Sequence, residues 1–317
     1  MQLSKNKKDI SFKLIFAVLA VGAAGLLGLR IYQLFALTEA DGSGFFKRLN
    51  PTVYILYIAA VVFTVLILLL VSATNKVTAS KSFRGKNKRL ALAGTAMSVG
   101  LAWDVAVCTS SFIRAVSSYT VQGQLFAYLA SNGMIAELLE AVFGLAACIY
   151  FILYALSYNE GRASYYEYKL LAITPLFWTI FRLVRRFLTK ISFIVVADLM
   201  LELAMLTFMM LFFLSFARIS SQLCQKNEMR RAMKYGLVAA MFAAVIAVSR
   251  LVAIIGMKSA CLADGFVFNI ADLAFAVFAV LYVDASSKTG RPAEEDELIE
   301  EDEDSDENEI DEDFLND

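Results

Sequence analysis

Apolar residues gather along this chain in eight long stretches, at 14–37, 51–72, 90–117, 133–157, 168–188, 192–217, 234–256 and 265–284. A helix needs about 20 mostly apolar residues to cross a hydrocarbon core about 30 Å thick. The runs are continuous, without the every-second-residue alternation of outer-membrane barrel strands. The pattern therefore predicts an all-α fold: a polytopic helical membrane bundle of about eight transmembrane helices within residues 1–290. Short polar breaks group the helices into hairpins at about 14–72, 90–157, 168–217 and 234–284. The first stretch follows Lys5, Lys7, Lys8 and Lys13, as a signal peptide would. Its apolar part exceeds the usual run of about 7–15 residues and Arg30 interrupts it, so it reads as a retained anchor. Pro175 falls inside the fifth stretch and predicts a kink there.

Composition agrees with a membrane protein. The chain has 317 residues, 59% of them hydrophobic and 19% charged, with a mean hydropathy of +0.64. A soluble domain is about 45–50% apolar and about 25% charged. The formal net charge of −1 hides two unlike parts, a body of +15 and a segment from Glu294 to Asp317 with 16 acidic and no basic residues. A block of that kind has too little to bury to offset the entropy of folding, so residues 291–317 are expected to be a disordered acidic tail. Placing the N-terminus in the cytoplasm puts 19 Lys and Arg in inner segments and 6 in outer ones, the latter including Arg185, Arg186 and Lys258. That bias fixes an expected orientation with both termini cytoplasmic. Membrane lipid is then the first partner, a cytoplasmic protein a further one for the tail, and nucleic acid is not expected because the basic residues adjoin membrane spans.

The absence of His removes Ser-His-Asp triads, HExxH zinc sites and His-ligated haem. No P-loop or dinucleotide glycine pattern is present, so no cofactor and no enzyme activity are expected. Cys108, Cys148, Cys224 and Cys261 form no CxxC pair, and small apolar roles are expected for those inside helices, with no metal site. Gly22, Gly25 and Gly28, and Gly236 with Ala240 and Ala244, form small-residue stripes of the kind that let helices approach closely.

Three helices begin alike, with Ile135-Ala136-Glu137-Leu138, Val196-Ala197-Asp198-Leu199 and Ile270-Ala271-Asp272-Leu273. Each follows a helix carrying an arginine: Arg114, Arg182 and Arg250, with Arg30 a degenerate first copy whose partner helix offers Tyr57 in place of an acid. This suggests an internal repeat of helical hairpins. Ionisable residues at membrane depth are costly and are a functional hypothesis by default. The candidate ligand or ion-pair cluster is Arg30, Asp104, Arg114, Glu137, Glu140, Arg182, Asp198, Glu202, Arg250 and Asp272. Arg30 and Arg250 lie 17 and 16 residues beyond Lys13 and Lys234, which is about 25 Å at 1.5 Å per residue, in the outer half of a membrane. Glu137/Glu140 and Asp198/Glu202 each share a helix face. The simplest expectation is that each Arg neutralises the acid of its own hairpin. The alternative is that the arginines line one cavity for an anionic or zwitterionic solute.

The residues Pro175-Leu176-Phe177-Trp178, Arg182, Arg186-Phe187, Val196-Ala197-Asp198-Leu199 and Phe212-Phe213-Leu214-Ser215-Phe216-Ala217-Arg218 resemble a pattern in uncharacterised multi-pass inner-membrane proteins of bacteria, over roughly 168–256. The resemblance implies a bacterial cytoplasmic membrane and no particular activity. Two functions follow as expectations: a non-enzymatic membrane module or scaffold held by intramembrane Arg/acid pairs, or a small-solute transporter using them.

Overall fold

The computed structural model describes residues 11–38, 46, 51–74, 86–119, 125–131, 133–161, 168–188, 196–221, 228–258, 261–262, 266 and 268–289, the side chains of 125, 126, 131, 196, 197 and 287–289 excepted. The acidic tail, Cys224 and the basic loop around Lys81 lie outside them. Among the described residues the chain is all-helical: α1 Phe12–Tyr32, α2 Thr52–Ala73, α3 Lys88–Ser117, α4 Leu125–Ser131, α5 Met134–Glu160, α6 Thr174–Leu188, α7 Val196–Ser220, α8 Glu228–Ile255 and α9 Ile270–Thr289. Each long helix falls on one of the expected apolar stretches. Six are long and apolar enough to cross a membrane: α1 with its continuation to Leu37, α2, α3, α5, α7 and α8.

The other two helices of the bundle, α6 and α9, differ in length. In α6, Pro175 does not kink a helix as expected; it starts one. Leu171–Ile173 is a single 3₁₀ turn, and the α-helix begins at Thr174 with Pro175 in its first turn. There the missing N–H costs nothing, because the first-turn donors have no intrahelical acceptor. The 15 residues that remain span only about 22 Å. α9 is 20 residues long and mostly apolar, with Asp272 in its first turn.

Local signals set several helix ends. The Asn87 side chain accepts from the N–H groups of Arg89 and Leu90 and starts α3. Gly133 and Gly161, at φ 71° and 79°, bracket α5 in the left-handed conformation that glycine adopts without strain. In each of α5, α7 and α9 the acid of the similar opening tetrapeptide lies in the first turn, where the helix dipole favours negative charge.

Helix α8 is the centre of the bundle. Two-thirds of its apolar window (67%) is enclosed, against 28% for α1 and 22% for α2. It packs on α7, α9, α1 and α2, while α3 packs on α5 and α9. Lipid offers no hydrophobic drive for helices to associate, so close fit and small residues do the work. A Cβ on Gly100 of α3 would lie 2.7 Å from Ala274 Cβ and 3.0 Å from Ala271 Cα, so that glycine sets how near α9 comes. In the α1 stripe only Gly22 packs, against Phe63; Gly25 and Gly28 face open space. Mid-bundle, Phe151, Phe212, Phe213, Phe216, Phe275 and Phe278 are buried with ring centroids 5.0–6.4 Å apart in mostly tilted and edge-on pairs. Leu14, Ile58, Val61, Leu69, Val99 and Leu145 are among the large apolar side chains turned outward.

Candidate functional site

The candidate charged side chains collect at one end of this bundle, where α1, α3, α6 and α8 finish and α5, α7 and α9 begin, here termed the distal end. Arg30, Arg182 and Arg250 are each 2–3% exposed, and Asp104, Glu137, Glu140, Asp198, Glu202 and Asp272 are all buried. The expected pairing within each hairpin is overturned. Arg30 Nη2 lies 2.5 Å from Asp198 Oδ2, joining the first hairpin to the third. Arg182 makes a two-pronged pair with Asp272, at 2.6 Å and 2.9 Å, joining the third to the fourth. Arg250 Nη2 donates to Glu202 Oε2 at 2.7 Å, from the fourth back to the third. The reason is geometric: spacing along the chain does not decide which neighbouring helix a side chain meets, and Arg30, Arg182 and Arg250 each meet a carboxylate of another hairpin.

Two arginines expected in an outer loop are part of the layer. Arg185 and Arg186 fall in the last turn of α6 and turn inward. Arg185 Nε lies 2.7 Å from Glu140 Oε2, its Nη2 donates to Glu140 Oε1 at 3.2 Å, and its Nη1 donates to Glu137 Oε1 at 3.3 Å. One guanidinium thus serves both carboxylates of the α5 face. Arg186 Nε donates to Glu202 Oε1 at 2.7 Å, so Glu202 holds Arg186 on one oxygen and Arg250 on the other. The Phe266 ring lies under both, at 4.7 Å and 5.4 Å from the guanidinium carbons. Arg114 is the exception among the candidates. It is exposed, and it donates to the Ser110 carbonyl and Ser111 hydroxyl of its own helix rather than to an acid.

Uncharged side chains complete the layer. Asp104 Oδ2 accepts from the Trp178 indole N–H at 2.8 Å, and its Oδ1 accepts from the Asn269 amide at 2.5 Å. Trp178 also lies 5.6 Å from the Arg182 guanidinium carbon. Gln33 accepts from Arg30 at 3.1 Å and donates to the Thr52 carbonyl at 3.0 Å, linking α1 to the start of α2. It opens a π-helical turn, Gln33–Leu37, that continues α1, a widened geometry common where a side chain is set by function. Trp178, Asn269 and Gln33 carry no charge, so no apolar run betrayed them; the Arg185-Arg186 pair sat too near the end of its stretch to be read as buried.

A side-opening groove of about 490 Å³ between α1, α8 and α9 is lined by apolar residues such as Phe16, Leu19, Ala240, Ala244 and Leu273, with no arginine among them. No protein-family model, curated protein or solved structure matches the chain.

Proposed function

We propose that this chain is a non-enzymatic multi-pass module of a bacterial cytoplasmic membrane, in which the distal arginine–carboxylate layer fixes the relative placement of the hairpins. One observation carries the reading: the buried pairs Arg30–Asp198, Arg182–Asp272 and Arg250–Glu202 run between hairpins and not within them. A guanidinium engaged by a carboxylate in a dry setting is costly to separate, so such pairs serve as registration pins. The bias of Lys and Arg supports an orientation with the distal end outside and both termini in the cytoplasm. The acidic segment 294–317 then offers a cytoplasmic protein partner a surface of one sign.

A thermal-stability screen of the purified protein against anionic and zwitterionic solutes tests this reading. The module requires no solute-dependent stabilisation. A reproducible hit that disappears in Arg186→Gln, with the folded state retained, would replace it with a solute transporter or binding protein. A reporter fused after Asp317 should read cytoplasmic; a periplasmic signal would invert the orientation.

A further inference from the structure

The acid-rich corner of the distal layer has the makings of a metal site. Asp104 and Cys108 stand one turn apart on α3, and Glu140 faces them from α5. One ligand atom from each lies within 4.8 Å of the other two, and all three residues are buried. Cys108 is 1% exposed, its thiol is free, and among the described residues it makes no hydrogen bond. A polar sulfur aimed between two carboxylates, with nothing to donate to or accept from, is a vacancy in the bonding of an otherwise engaged layer.

Charge points the same way. The layer holds six carboxylates (Asp104, Glu137, Glu140, Asp198, Glu202, Asp272) and five guanidiniums (Arg30, Arg182, Arg185, Arg186, Arg250). Among the described residues Asp104 accepts hydrogen bonds from the neutral donors of Trp178 and Asn269 and forms no ion pair. The excess negative charge is therefore local, beside Glu137 and Glu140, which share ion pairs with Arg185. A divalent cation with a thiolate ligand would bring the whole layer to neutrality.

We propose that Asp104, Cys108 and Glu140 bind one divalent transition-metal ion of the zinc class. A thiolate with two carboxylates selects a borderline-soft ion over Mg²⁺ or Ca²⁺, which take oxygen alone. Zinc bonds of about 2.3 Å to sulfur and 2.0–2.2 Å to oxygen require the three atoms to draw in slightly from their present spacing. Arg185 need not leave, because each carboxylate oxygen has two lone pairs. On binding, the Cys108 S–H bond breaks, the sulfur–metal bond forms, and the proton passes to bulk water. Three protein ligands leave a fourth position for a water or another donor. The ligands sit on two helices and far apart in sequence, which is why spacing along the chain concealed them.

The test uses the full-length protein in detergent, freed of its purification tag and of metal. Zn²⁺ is titrated calorimetrically, and Co²⁺ is titrated while recording the thiolate-to-cobalt charge-transfer band. The expected result is one Zn²⁺ per chain and a cobalt–thiolate band. Both should be retained in Cys148→Ser. Cys108→Ser should lose the band and weaken Zn²⁺ by at least about ten-fold, given that even outer-shell changes cost about 10–100-fold. Glu140→Gln gives an independent check should Cys108→Ser fail to fold, and should weaken Zn²⁺ similarly. Cobalt taken up without a thiolate band, as by the acidic tail, overturns the proposal. So does Zn²⁺ affinity unchanged in Cys108→Ser, or no stoichiometric binding by the parent chain.

Discussion

On the side of the distal layer built by α1, α7 and α8 with Arg186 from α6, three guanidiniums (Arg30, Arg186, Arg250) meet two carboxylates (Asp198, Glu202). On the side built by α3 and α5, three carboxylates (Asp104, Glu137, Glu140) stand with one guanidinium, that of Arg185 from α6, which pairs with Glu137 and Glu140. Arg182 with Asp272 stands between them, balanced. The first side can lose no carboxylate without stranding a buried cation. The second is over-supplied with negative charge and uses neutral donors, Trp178 and Asn269, to hold Asp104, which forms no ion pair among the described residues. Identical residue types thus carry different mechanical weight according to the local count.

The sharpest break of this comparison is Glu202→Gln, which leaves Arg186 and Arg250 without their shared counter-charge. Loss of one partner of a buried pair costs about 3–5 kcal/mol, to be read from denaturant or thermal unfolding in detergent. Arg182→Ala should cost about as much by stranding Asp272, whereas Arg182→Met combined with Asp272→Leu should recover most of the loss, since replacing both members is often neutral. If the double variant is no better than the single, the pair holds more than its own charges. Next comes Gly100→Ala, at about 1–3 kcal/mol, because its Cβ meets the α9 backbone at Ala271. Glu137→Gln should cost less than about 1 kcal/mol, the net worth of an ordinary hydrogen bond, because Arg185 keeps Glu140 and one excess charge is removed. Equal losses for Glu137→Gln and Glu202→Gln would erase the distinction between the two sides. The smallest effect is expected for Arg114→Ala, within about 0.5 kcal/mol, as for surface substitutions in general.

Much of this was legible in the chain before the structure. Uninterrupted apolar runs placed the long helices, because a helix surrounded by lipid has no reason to alternate. Charges inside those runs marked Arg30, Asp104, Arg182, Glu202 and Arg250, since each is out of place in a hydrocarbon setting. Partnership was not legible: spacing along one helix says which face a residue occupies, but not which neighbour that face meets. The similarity of the Arg114 frame to those of Arg182 and Arg250 was misleading for the same reason, because among the described residues Arg114 bonds to Ser110 and Ser111 of its own helix and forms no ion pair. Pro175 was read as a kink because the apolar run extends past it; the 3₁₀ turn at Leu171–Ile173 ends the run's helical use early.

The shortness of α6 has a consequence for how the chain is made. This helix carries Arg182, Arg185 and Arg186 in 15 residues, and each cation disfavours insertion into lipid by as much as about 2.5–3.5 kcal/mol at a helix centre. Glu137 and Glu140 have already left the ribosome when α6 emerges. The partner of Arg186 follows 16 residues later, and that of Arg182 follows 90 residues later. Until α9 is synthesised, Arg182 therefore lacks the carboxylate that it meets in the folded protein, so a helix in the middle of the bundle is completed only by one made much later.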